Sequence, residues 1–237
     1  MPRLILLRHG QSQWNLENRF TGWVDVDLTA RGEAEARHGG ELIAAAGFKP
    51  DVMFVSVLKR AKRTGALALQ AAGLKEIPTV EDWRLNERHY GGLTGLNKAE
   101  TAERHGEDQV RIWRRSYDVP PPPLAPGGDY DFHADPRYAG QPIPDTESLK
   151  ITLERVLPYW TATIAPRLRA GEDVLIVAHG NSLRAIVKHL FQVPDDRIVA
   201  VEIPTGNPLE IDLDATLKPV AARYLDTDRA QALPVMP

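Results

Sequence analysis

The chain has 237 residues, a formal net charge of −3 and no cysteine. That length allows one large domain with a substantial core, and the charge balance gives no global basic field to attract nucleic acid. The lack of cysteine excludes disulfides and cysteine–zinc sites and fits a reducing compartment.

In chain order, Leu4–Leu7 is a short apolar run leading straight into Arg8-His9-Gly10-Gln11-Ser12. It reads as a buried strand that ends at a histidine. No basic flank and long apolar region precede it, so no signal peptide is expected. Thr29 can cap a helix from Ala30 toward Ala46, stopped at Gly47. Val52–Val55 reads as a second strand, followed by a helix from Leu58 to Ala72 that ends at Gly73. Ile77–Val80 is a third strand, and Arg84 to Gly92 a polar, aromatic and glycine-rich turn. A helix begins near Asn97 and breaks at Gly106, and Glu107–Arg115 continues as another.

Between Ser116 and Pro144, the prolines at 120–123 and 126, Gly127-Gly128 and several aspartates and tyrosines predict a loop. Loops of that length are often lids or disordered. Thr146 can cap a helix through Leu168, which Pro158 and Pro166 should kink or divide. Val174–Ala178 is a fourth apolar run, leading into His179-Gly180-Asn181-Ser182 and a helix to Phe191. Ile198–Ile203 reads as a fifth strand and Leu209–Leu213 as an added edge strand. The alternation argues for βαβ units. The expected fold is α/β, a mostly parallel central sheet with helices on both faces. We expect one catalytic domain over residues 1–226, a lid-like insertion at 116–144 and a mobile tail at 227–237. No apolar run reaches the length of a membrane span, so a cytoplasmic enzyme is expected.

The strand–His-Gly unit occurs twice, and strand ends are where α/β folds keep their sites. A lone strand-end histidine is more often a packed or surface residue. Two at matching positions are required by no packing rule and suit covalent phosphoryl transfer. Neutral imidazole attacks phosphorus well, but phosphate dianions repel attack, so the charge must be neutralised. Arg8 adjoins His9, and Arg60 follows the strand ending near Val55. As an imidazolium, His179 could donate to phosphoryl oxygens. Asn15 and Asn181 add amide donors, and Gly10, Gly22 and Gly180 permit close backbone approach.

Glu87 could move the proton that transfer to a hydroxyl requires; its bland alternative is a salt bridge to Arg84 or Arg88. Arg88, Lys98, Arg114 and Arg115 would ordinarily be solvated. Together with Arg8 and Arg60 they could neutralise a small acid bearing two phosphates and a carboxylate, about four to five negative charges. His38, His105, His133 and His189 lack such context and read as surface or core.

Seven segments together resemble the 2,3-bisphosphoglycerate-dependent phosphoglycerate mutases of the histidine phosphatase superfamily. They are 8–15, 20–26, 56–61, 85–91, 97–101, 114–120 and 178–184. Arg-His-Gly marks only the superfamily, whereas Glu87-Arg88-His89-Tyr90 and Arg114-Arg115-Ser116-Tyr117-Asp118-Val119-Pro120 are more specific. The resemblance implies a phosphoglycerate mutase-like three-layer sandwich. His9 would be the phosphorylated nucleophile, Glu87 the proton donor and acceptor, and His179 the group stabilising the transferring phosphoryl. Arg8, Asn15, Arg60, Gly180 and Asn181 would line the phosphoryl pocket, and Gln11 and Ser12 would be substrate-binding. Thr21, Gly22, Arg88, His89, Tyr90, Lys98, Arg114 and Arg115 would hold the far phosphate and carboxylate.

It also implies interconversion of 3-phosphoglycerate and 2-phosphoglycerate in glycolysis and gluconeogenesis, priming by 2,3-bisphosphoglycerate, and no metal. Neither nucleic acid nor membrane is an expected partner, and a homo-oligomer is. Gly92 and Thr94 depart from the commoner residues of their loop and should alter packing only, while the short, divergent tail is the part that the resemblance associates with closing the site. A phosphatase of the same superfamily is the nearest alternative. A non-catalytic phospholigand-binding protein is the alternative of another class.

Overall fold

In the computed structural model, which describes residues 1–74 and 76–230, the apolar runs build one six-stranded sheet. The elements are β1 (Arg3–Arg8), α1 (Gln13–Leu16), α2 (Ala30–Ala45), β2 (Val52–Val55), α3 (Lys59–Ala71), β3 (Thr79–Glu81), α4 (Lys98–His105), α5 (Glu107–Arg115), α6 (Leu149–Tyr159), α7 (Ala165–Arg169), β4 (Val174–Ala178), α8 (Gly180–Phe191), β5 (Leu209–Leu213) and β6 (Pro219–Tyr224). The strand order is β3-β2-β4-β1-β5-β6. The first four of these are parallel, and β5 and β6 are antiparallel additions.

The apolar run of β1, like the whole of β4, is buried because helices cover both faces, the usual reason for strands without alternation. Side chains still divide with period two. Leu4, Leu6, Phe54, Val174 and Ile176 share a core with Val156 of α6 and with Leu183 and Val187 of α8. Ile5, Leu7, Met53, Val55, Leu175 and Val177 pack instead with Ile43 of α2 and Ala61 and Ala68 of α3. Burying each such Leu, Ile or Val contributes about 1.5–3 kcal/mol. Helices α2 and α3 approach so closely that a Cβ on Gly40 would lie 2.1 Å from the carbonyl oxygen of Ala68. The result is a three-layer α/β sandwich.

One register decides where chemistry can occur. Arg8 pairs with Ala178, and His9 N–H donates to Ala178 O at 3.0 Å. The two histidines therefore leave the sheet side by side.

Several sequence expectations are corrected. Ile198–Ile203 is no strand: Ile198–Ala200 is a single 3₁₀ turn, and Ile198, Val201 and Ile203 are apolar because they pack in the α8 core. The flank of β1 is already taken by β5. Leu209–Leu213 is thus an interior strand, and the edge is β6, absent from the sequence reading. The third strand starts at Thr79, two residues later than expected, and ends at Glu81, one residue later. Ser148, not Thr146, caps α6, its Oγ accepting from Ile151 N. Thr146 Oγ1 instead donates to Pro121 O at 2.8 Å. Pro158 lies within α6, and a π-turn at Trp160–Ile164 joins it to α7. Thr227–Arg229 forms a 3₁₀ turn, and residues 231–237 of the expected tail lie outside the described residues.

Candidate active site

The site grows from the end of β1. Gly10 follows His9, and a Cβ there would lie 2.0 Å from Gly32 O, so the chain can pass α2 only as glycine. His9 Nδ1 is 2.7 Å from Gly10 O. A carbonyl only accepts, so Nδ1 carries the hydrogen and Nε2 keeps its lone pair. Burial, then the Arg60 and Arg8 guanidiniums, hold the His9 imidazolium pKa well below its ordinary value. The ring is neutral at physiological pH, with the Nε2 lone pair available for nucleophilic attack.

His179 leaves β4 beside it, with ring centroids 4.9 Å apart and planes at 61°. Its Nε2 lies 2.8 Å from Ser56 Oγ, while Nδ1 is buried without a partner. Burial, then Arg60, His9 and Arg8, keep this ring neutral as well.

Arg60 stands in the first turn of α3. It is held rigidly by Nη1 on Val24 O (2.8 Å) and Nη2 on Gly22 O (2.7 Å). Burial lowers its pKa to about 10, which leaves it cationic. Arg8 Nη1 donates to Ile203 O at 2.8 Å, and its guanidinium sits 3.4 Å from where a Cβ of Gly180 would be. Glu87 is almost buried. Its Oε1 accepts from the backbone N–H of Arg88 (2.7 Å) and of Asn181 (3.1 Å). Asn181 Nδ2 reaches Tyr90 OH at 3.3 Å.

A cleft of about 320 Å³ opens over these groups. Asn15, Thr21, Tyr90, Lys98, Arg114, Arg115, Gly180 and Asn181 line it along with Arg8, His9, Arg60 and Glu87. Burial lowers the pKa of Lys98 and of Arg114. Seven cationic side chains face two carboxylates, a balance matched to a ligand of about four to five negative charges. Arg8 Nε and Thr21 Oγ1 are buried donors without protein partners, as anion-binding groups awaiting a ligand would be. Among the described residues no group of three or more His, Asp or Glu side chains could hold a metal ion.

The other expected site residues are not among those lining the cleft. His179 stands behind His9 rather than in the cleft lining. Gln11 Oε1 accepts from Thr29 Oγ1, and its N–H donates to Glu35. Ser12 caps α1 through reciprocal bonds with Asn15. Gly22 offers its carbonyl to Arg60. Arg88 is buried beneath the Tyr90 ring, 4.7 Å from its centroid, and its Nε and Nη1 have no partner. His89 is packed against Trp23 and Phe132, its Nδ1 accepting from Gly91 N at 3.0 Å. Burial takes its pKa to about 4, so it serves the fold as a neutral ring.

Three charged residues of the lining were missed: Arg19, Arg184 and Glu202. Arg184 is one helical turn beyond Asn181 and donates to its Oδ1 at 2.9 Å, so i, i+3 spacing could have found it. Glu202 fell within the misread fifth strand, and Arg19 carries no local signal.

The profile of the histidine phosphatase superfamily (branch 1) matches residues 4–134 and 127–220. A 2,3-bisphosphoglycerate-dependent phosphoglycerate mutase of Caulobacter sp. (strain K31) is 75% identical over 236 residues, covering 100% of both chains. One of Hyphomonas neptunium is 64% identical over 237 residues, again covering 100% of both. Among solved structures, a mycobacterial glucosyl-3-phosphoglycerate phosphatase complexed with VO3 superposes with a TM-score of 0.71 at 23% identity, over 94% of this chain and 97% of that one. YhfR of Bacillus stearothermophilus gives 0.69 at 24%, over 92% and 94%. At such identities the structural likeness speaks for the fold alone.

Proposed function

The chain belongs to the histidine phosphatase superfamily and, within it, to the 2,3-bisphosphoglycerate-dependent phosphoglycerate mutases, and from that premise we propose that it interconverts 3-phosphoglycerate and 2-phosphoglycerate through a phosphoryl group carried on His9. The observation that carries the reading is the His9–His179 pair at 4.9 Å beneath a cationic cleft, with His9 Nδ1 bonded to Gly10 O. That bond leaves Nε2 as the atom that forms and breaks the bond to phosphorus.

In this reading, 2,3-bisphosphoglycerate primes the enzyme by phosphorylating His9. Arg8 and Arg60 neutralise the phosphoryl oxygens; Arg60 can do so without reorganising, because two carbonyls already fix it. Glu87 takes the proton of the attacking hydroxyl and returns it to the oxygen freed in the reverse transfer. Lys98, Arg114 and Arg115 hold the far phosphate and carboxylate, so the bisphosphate can turn over without leaving. Orphaned Arg8 Nε and Thr21 Oγ1 fit such an anion. Residues 116–144 place no side chain in the cleft. We assign them to bracing the Glu87 loop, where Pro122 O accepts from Gly92 N at 2.8 Å. A cytoplasmic location and a homo-oligomeric state belong to the same proposal.

A coupled mutase assay with and without bisphosphate primer, beside His9→Ala, tests it. Activity should depend on primer, survive chelator and vanish in the variant. Inorganic phosphate released without any 2-phosphoglycerate would sink the mutase reading in favour of a phosphatase.

A further inference from the structure

A buried polar chain lies behind His179, away from the substrate cleft. Ser56 directly follows β2, next to β4, its N–H on Val177 O at 3.3 Å. The Ser56 hydroxyl donates to Asn86 Oδ1 at 2.7 Å, and Asn86 Nδ2 donates to Tyr138 OH at 2.9 Å. Leu58 N–H donates to Ser56 Oγ at 3.2 Å. His179, Ser56 and Asn86 are each fully buried, and Tyr138 nearly so.

Counting hydrogens along this chain fixes the imidazole. A hydroxyl has one hydrogen, and that of Ser56 goes to Asn86. Ser56 Oγ therefore meets His179 Nε2, 2.8 Å away, as an acceptor. The ring hydrogen is on Nε2, and Nδ1 is left as a bare lone pair, buried and unpartnered. A lone pair cannot contact a phosphoryl oxygen favourably.

We infer that Ser56, backed by Asn86, is a positioning residue that commits His179 Nε2–H away from the phosphoryl pocket, so that His179 engages a bound phosphoryl group only by taking up a proton at Nδ1. The inference rests on the phosphoryl-transfer reading above and adds a coupling between anion binding and protonation. The titratable and charged groups facing the ring are neutral His9 just after β1, Arg8 from β1, Arg60 from α3 and Arg155 from α6. Arg155 is already paired with buried Glu147. The nearby carboxylate of Glu87 is bonded to the N–H groups of Arg88 and Asn181. In the free enzyme burial first, and then this cationic surrounding, keep the ring neutral; an arriving dianion reverses the local field and draws the proton in from solvent. Loaded, both ring nitrogens donate: Nε2 to Ser56 and Nδ1 to the phosphoryl oxygen.

The experiment is titration calorimetry near neutral pH with tungstate, a dianion that does not itself titrate there, in buffers of different ionisation enthalpy. Uptake of about one proton per site is expected. It should persist in His9→Ala and disappear in His179→Gln. Imidazole ¹⁵N spectra of the free wild-type protein should show His179 with hydrogen on Nε2, and Ser56→Ala should give mixed tautomers. That variant should lose kcat by about 10- to 100-fold with KM within about twofold. No proton uptake, uptake that follows His9 instead, or an Nδ1–H tautomer in the free protein would each overturn the inference. If Ser56→Ala does not fold, the wild-type spectra and calorimetry decide alone. Neither needs turnover, so this inference and the mutase reading fail separately.

Discussion

The backbone N–H of Asn181 donates to Oε1 of Glu87 across 3.1 Å, joining the first turn of α8 to the loop after β3. With the Arg88 N–H on the same oxygen, it aims this carboxylate beside His9. Glu87→Gln keeps an acceptor for both N–H groups but cannot move a proton. We expect kcat to fall by about 10²- to 10⁴-fold with KM nearly unchanged and the fold intact. Steady-state kinetics together with a melting curve check this; a kcat within tenfold of wild type would remove Glu87 from the proton transfer.

Arg184 supports the same network from behind. Its Nη1 bonds Asn181 Oδ1 (2.9 Å) and its Nη2 bonds Ile198 O (2.7 Å), while burial lowers its pKa to about 10. Arg184→Met fills much of the space yet strands both acceptors. We expect a loss of about 2–4 kcal/mol of stability and a higher KM, since Asn181 no longer holds its place between Glu87 and Tyr90. Chemical denaturation reads the first effect and saturation kinetics the second.

The core of the site was legible because its signals are local. Val174–Ala178 is apolar throughout and terminates in His-Gly, so neither its strand nor its histidine depended on tertiary context. Ile198–Ile203 has the same apolar content for a different reason, packing against α8, and composition does not separate the two. Misreading it hid Glu202. Strand β6 was missed because its interior, Val220 to Arg223, is mostly exposed and has no alternation to reveal it. His89 shares a segment with Glu87, and only packing against Trp23 and Phe132 shows that its ring turns away from the cleft. Ser56 opens the matched segment 56–61 but carried no role there, since a serine at a strand end is commonplace until its partner is known.

His89 also makes a prediction about pH. Its pKa is about 4 in the folded protein, lowered mainly by burial, against an ordinary value of 6.5. Between these values the unfolded chain binds the extra proton and the folded protein does not, so stability falls as pH drops from 6.5 toward 4. The contribution is about 3 kcal/mol. His9 and His179, also depressed by burial and arginines, act in the same direction. His89→Asn should keep an acceptor near Gly91 N while removing this titration, giving a flatter acid limb. Unfolding free energies measured in denaturant at pH 7, 6, 5 and 4 decide it; parallel wild-type and variant curves would count against the assignment.

The ion pair of Arg115 with Glu202 crosses the rim of the cleft at 2.5 Å. The pair holds in place, on a protein carboxylate, one of the cations expected to bind substrate. Arg115, Arg8 and Arg184 lower the pKa of Glu202, so it remains an anion at neutral pH and competes with any anionic ligand. Both side chains are more than a third exposed, so the competition is modest, about 0.2–1 kcal/mol. Glu202→Gln should therefore lower KM for 3-phosphoglycerate by up to about fivefold, with little change in kcat. Raising ionic strength should shrink the difference between the two proteins, because screening weakens the pair that the wild type must break. An unchanged or raised KM in the variant at low salt would mean that Arg115 reaches the ligand without first leaving Glu202.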